Sequence, residues 1–139
     1  MQARNPLFEF TVQPDQADAS RHTAYLAQGG LGLPDSAWYT DPAHAPAVAA
    51  YRTHIARMLT LTGLPHEEAV ARAATVFALE QDLAAASVPF HELAVDDSVY
   101  HNLVDADEAA SVTPHMPWAT FFAAHGQPAP ARFSLGMPG

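Results

Sequence analysis

Residues 28–35 read Gln-Gly-Gly-Leu-Gly-Leu-Pro-Asp, and neither a helix nor a strand can run through them. Gly29, Gly30 and Gly32 open left-handed backbone conformations to the chain, and Pro34 holds Leu33 extended. Whatever lies on either side must therefore fold as separate elements. Leu31 and Leu33 inside the loop, with Trp38 and Tyr39 beyond it, are apolar anchors. The loop is expected to be pinned by packing, with a conformational role.

On the N-terminal side, residues 7–12 (Leu-Phe-Glu-Phe-Thr-Val) alternate and are rich in aromatic and β-branched residues, the pattern of a strand. A polar turn over 14–20 and a second run at 22–27 complete an antiparallel hairpin over 7–27. A two-stranded hairpin is marginal in water by itself. It is expected to pack on the helices that follow.

On the C-terminal side the apolar period changes to about 3.6 residues. Val48, Tyr51, Ile55, Met58, Leu59 and Thr62 share one face of a helix that Gly63 ends. Pro65, Glu67 and Glu68 open a second helix whose stripe is Val70, Ala73, Ala74, Phe77, Gln81 and Ala84, with Leu79 and Leu83 beside it. The short connection makes a helical hairpin over 45–87. Residues 88–139 read as an irregular region with short helices at 106–111 and 118–125 and a last strand at 132–135. The expected fold is mainly α with a small antiparallel β-hairpin (α+β), the helical hairpin packed against it. Residues 1–139 form a single domain or a fragment of one, and ending on a strand favours the fragment.

Charge and composition narrow the function. The net charge is −9 and all six cations are arginines, scattered along the chain. Nucleic acid is a poor partner for such a surface. No run approaches the roughly 20 apolar residues of a membrane-spanning helix. With no cysteine there are no disulfides, thiol nucleophiles or thiolate metal sites.

Eight histidines raise the question of metal. A zinc-peptidase HExxH helix sets two imidazoles four residues apart on one face. His66-Glu67-Glu68-Ala69-Val70 and His91-Glu92-Leu93-Ala94-Val95 begin that way, but Val70 and Val95 cannot ligate. His66 then reads as a helix-start residue and His91 as a loop residue. His101 with Asp96, Asp97 and Asp105 is a conceivable carboxylate–imidazole group, more simply a solvated loop. His54 and Arg57 read as solvent-facing. No serine stands in a G-x-S-x-G elbow. The glycine loop lacks the lysine of a phosphate loop. Glu80, beside Phe77 and Leu79, is the acid expected to be partly buried, in a structural rather than an acid–base role. No catalytic, metal-binding or cofactor-binding residue is assigned.

Tyr25 to Asp35 followed by Trp38-Tyr39 closely resembles a signature of the neprilysin and endothelin-converting-enzyme family of zinc metallopeptidases, which has many bacterial members. The signature loop is Gln28, Gly29, Gly30, Leu31, Gly32, Leu33 and Pro34. Ser36-Ala37 stand where the family carries a basic residue and an acid. Residues 50–59 are similar to its Tyr-x-x-(His/Tyr)-Ile-x-x-Met-Leu helix, 76–84 to its Leu-Glu-x-x-Leu-Ala helix, and 117–122 to its Trp-x-x-Phe turn. Residues 96–102 resemble an Arg-Asp-Pro-x-x-x-Tyr-Asn stretch but lack the Arg and the Pro. The resemblance implies a non-catalytic piece of the N-terminal helical cap domain of a peptide-hydrolysing enzyme. By that resemblance the zinc, the HExxH helix and the substrate-binding Asn-Ala motif belong to a catalytic domain of the same polypeptide. Its partners would be that domain and the parent's peptide substrates, in a periplasmic or secreted setting. Two other readings stand beside it: a stand-alone interaction module that uses the helical hairpin face, and a small metal-binding protein that uses its histidines.

Overall fold

The computed structural model describes residues 7–93 and 101–136. They gather into two compact units. One comprises the described residues up to Gly29 and from His101 onward, the other runs from Gly30 to Leu93.

The first unit is built on a four-stranded sheet of order β1-β2-β4-β3. Strands β1 (Phe8–Pro14) and β2 (His22–Gln28) pair antiparallel, with Phe8 opposite Gln28 and Pro14 opposite His22. The expected hairpin is therefore present. It does not stand alone, because β4 (Phe133–Leu135) pairs parallel to β2 and antiparallel to the two-residue β3 (Leu103–Val104). The expected last strand is thus an inner strand of the sheet.

Side chains alternate across that sheet, as the pleat requires. Phe8, Phe10, Ala24, Leu26, Phe133 and Leu135 face one core. The apolar face of the hairpin, expected to lie on the helical pair, is covered by α5 (Trp118–Ala124). Phe10 meets Phe121 edge-on at 5.2 Å between ring centres, and Trp118 lies 5.1 Å from Phe133. Such tilted and edge-on pairs suit the ring quadrupoles. Helix α4 (Ala106–Val112) begins with a complete capping box: the Asp105 carboxylate accepts from the Asp107 and Glu108 amides, and Glu108 accepts from the Asp105 amide.

The second unit holds the helical hairpin, α1 (Ala45–Leu61) and α2 (His66–Ala85), then the single turn α3 (Phe90–Leu93). Two 3-10 turns, Ser36–Tyr39 and Pro42–His44, lead into α1, each started by an aspartate side chain. On α1, Ile55 is buried with Ala56, and Val48, Tyr51 and Leu59 are partly covered, but Met58 and Thr62 face out. On α2 the buried stripe is Ala69, Ala73, Phe77, Glu80 and Ala84. Ala73, Phe77 and Ala84 were expected there. Val70 and Leu79 are instead 48% and 51% exposed, and Ala74 and Gln81 lie outside too. Ala69, Ala73 and Ala84 in this stripe are small residues, a composition that permits a close neighbour. The bulk in this core comes from Phe77, Ile55, Leu33 and Tyr39.

Phe122 is buried to 1% beneath the sheet and touches Phe10, Trp118 and Phe133. Phe122→Ala is expected to destabilise the first unit by about 3–5 kcal/mol, since truncating a buried aromatic loses both transfer energy and packing. Urea unfolding followed by the fluorescence of the neighbouring Trp118 measures it.

Candidate functional site

The signature loop is held by a carboxylate. Glu80 lies on the buried face of α2, and its two oxygens take three donors. Oε2 accepts from the Tyr39 hydroxyl at 2.6 Å and, at 3.4 Å, from the Gly32 amide. Oε1 accepts from the Tyr51 hydroxyl at 2.7 Å. The Tyr39 hydroxyl in turn accepts from the Gly32 and Leu33 amides, each at 3.1 Å. A carboxylate is costly to bury without such partners. Here the 3-10 turn supplies one tyrosine, α1 the other, and the loop two amides.

Burial, and then donation to Glu80, pushes the Tyr39 phenol up to about 12. The same two causes raise Tyr51 further. Both hydroxyls stay protonated at neutral pH and serve as fixed donors. The cluster holds backbone in place.

This geometry explains the glycines. A Cβ on Gly32 would sit 1.7 Å from the Tyr51 hydroxyl oxygen, so no larger residue fits while Tyr51 reaches Glu80. Gly30 takes φ 81°, a left-handed conformation that glycine adopts without steric cost. Of the remaining signature residues, Gln28 ends β2 opposite Phe8 and Gly29 lies beside the β1 backbone. Leu31 packs on the second unit's core, Leu33 is buried within it, and Pro34 is exposed. Asp35 fastens the end of the loop: Oδ1 accepts from the Ala37 amide at 2.8 Å and Oδ2 from the Phe90 amide at 2.6 Å. These amides hold its carboxyl below the usual range.

A second carboxylate cluster was not foreseen. Asp15, at the start of the hairpin turn, accepts from the Ala17 and Asp18 amides through Oδ1. Its Oδ2 accepts from the Thr23 hydroxyl at 2.7 Å and lies 3.4 Å from His101 Nε2. The Thr23 and Ala17 donors, ahead of His101, bring the Asp15 carboxyl down to about 2. In the sequence an Asp after a Pro signalled only a turn. The sequence made Asp96, Asp97 and Asp105 conceivable partners of His101, with a solvated loop the simpler reading. Asp105 caps α4, and Asp96 and Asp97 lie outside the described residues.

The remaining histidines have separate surroundings. His66 opens α2 and is exposed, and His54 and Arg57 are exposed on α1. His91, expected in a loop, is in the α3 turn and is exposed. His44 stacks on Trp38 at 4.1 Å, and His125 lies against Phe10 and Phe121. Among the described residues no three His, Asp or Glu side chains are grouped to hold a metal ion.

The sequence profile of peptidase family M13 matches residues 1–138. The chain belongs to peptidase family M13. Endothelin-converting enzyme-like 1 of Rattus norvegicus is 34% identical over 115 residues, covering 81% of this chain and 15% of that protein. Neprilysin-3 of Drosophila melanogaster is 25% identical over 120 residues, 85% of this chain and 15% of that protein. The fold is shared with the zinc metalloprotease Zmp1 of Mycobacterium tuberculosis in its inhibitor complex (TM-score 0.85, 28% identity, 94% of this chain and 20% of that one). PepO of Lactobacillus rhamnosis HN001 has the same fold at TM-score 0.78 and 24% identity, over 99% of this chain and 22% of that one. The chain thus spans about a seventh of the length of the curated M13 relatives it matches.

Gly32→Ala in this M13 chain is expected to destabilise the second unit by about 1–3 kcal/mol, the range for forcing extra volume into a packed site. Pairing it with Tyr51→Ala should cost less than the two single changes together, a coupling that a double-mutant cycle in urea reads. Asp15 generates a pH dependence. Its folded-state value lies below that of an unfolded aspartate, so its contribution is present above about pH 4 and is lost as pH falls toward 2. Asp15→Asn should flatten the acid limb of a stability–pH curve over that window, as followed by urea midpoints.

Proposed function

We propose that this chain is a non-catalytic part of the N-terminal helical cap of a zinc metallopeptidase that hydrolyses peptides, with the catalytic machinery elsewhere in the same polypeptide. The observation that carries the reading is the match along residues 1–138 to family M13, on a chain that covers only 20% of the zinc metalloprotease whose fold it shares. The site is consistent with that role. Its buried carboxylate is occupied with holding a loop, which is what a rigid wall element needs. Zinc and peptide substrates are then properties of the parent, and the partner of this chain is the parent's catalytic domain. The same reading places the parent outside the cytoplasm, in the periplasm or secreted. No helix among the described residues is long and apolar enough to cross a membrane.

The test is direct. The gene is extended through its full reading frame, and the long and short proteins are assayed on a quenched fluorescent peptide library with and without a zinc chelator. Chelator-sensitive hydrolysis is expected from the long protein and none from residues 1–139. Hydrolysis proportional to the concentration of the short chain would overturn the assignment.

A further inference from the structure

We propose that the groove between α1 and α2 is a docking surface for a carboxylate-bearing amphipathic helix supplied by the polypeptide outside residues 1–139. The proposal rests on reading the chain as a segment of a longer peptidase. The groove encloses about 630 Å³. Leu61, Val70 and Ala73 line it together with Arg52, Arg57 and His66. Leu61 is 74% exposed and Val70 48% exposed, although the adjoining faces of both helices already form the unit's core. Two antiparallel helices leave a channel that a third helix fills in ordinary bundle packing.

The charge of the groove identifies the chemistry of the occupant. The chain carries −9, yet no carboxylate lines this groove and two of its six arginines do. Arg72 is paired with Glu68, and Arg132 donates to the Leu103 carbonyl. Arg52 lies over the Phe77 ring. Arg57 has no hydrogen-bond or ion-pair partner among the described residues. An occupant with apolar residues on one side and Glu or Asp at its edge complements both features. A second copy of this chain fits less well, because a two-fold contact through this face sets arginines against arginines. The M13 proteins that the chain matches have most of their length outside the matched region, enough to supply such a helix.

The experiment uses the full-length protein with a photo-cross-linking amino acid at Leu61, and a control with the same residue at Thr75, which is exposed and does not line the groove. Mass spectrometry maps the products. The expected result is an intramolecular cross-link from position 61 to a helical segment outside 1–139 that carries Glu or Asp, absent from position 75. Arg57→Glu should lower its yield severalfold, with an unchanged circular dichroism spectrum. A cross-link to a second copy, one to a segment without carboxylates, or a yield no higher than the Thr75 control would overturn the proposal. Peptide hydrolysis by the same preparation separates the two readings. Activity without the cross-link overturns docking alone, whereas the cross-link without activity supports docking and overturns the peptidase assignment.

Discussion

The second unit depends on one buried carboxylate. Glu80 on α2 is removed from water and can remain so only while Tyr39, Tyr51 and the Gly32 amide donate to it. Those three donors belong to three different stretches of chain, so satisfying Glu80 fixes the 3-10 turn, α1 and the loop at once. Ile55 and Phe77 supply the helices' bulk in this core, and the other buried helix residues there are Ala56, Ala73 and Ala84. The polar hub supplies the positional specificity that such small side chains cannot. It also sets the sequence of the loop, because the approach of Tyr51 leaves no room for a side chain at Gly32.

Much of this was legible in the sequence, and the failures have physical causes. The change of period at the glycine loop separated the β1–β2 hairpin from the helical pair, although β3 and β4 follow the helices, and Gly63 and Pro65 marked the helix turn to within a residue or two. Glu80 was identified as a partly buried acid from its apolar neighbours. Its partners were not, because Tyr39 and Tyr51 lie far from it in sequence and their hydroxyls leave no periodic trace. Val70 and Leu79 were misplaced for a related reason. Hydropathy favours the larger side chain, but the buried positions of α2 are taken by Ala69 and Ala73. The two-residue strand β3 carries no pattern to read. The Asp15–His101 contact joins residues far apart in the chain and has no local signature.

The family match gives these structural findings a functional setting without adding chemistry to the chain. Histidines invite a metal reading in a relative of zinc peptidases, yet the structure gives several of them ordinary local surroundings. His44 covers the Trp38 ring, His125 packs among phenylalanines, and His101 leans on an aspartate that a hairpin turn already holds. Residue type alone would have pointed toward catalysis, whereas the contacts point to architecture.

The pairing of β2 with β4 bears on the order in which the molecule is made. Tyr25 and Leu26 align with Ser134 and Leu135, so an inner strand of the sheet leaves the ribosome only after the whole helical unit. The helical unit is continuous in sequence and its contacts are local, which favours early and fast folding during synthesis. Until β4 emerges, β2 has one unpaired edge and the faces of Phe8 and Phe10 lack Phe121 and Phe133. The nascent hairpin therefore waits with one bare edge, and its sheet closes only by capturing a strand made after the helical unit.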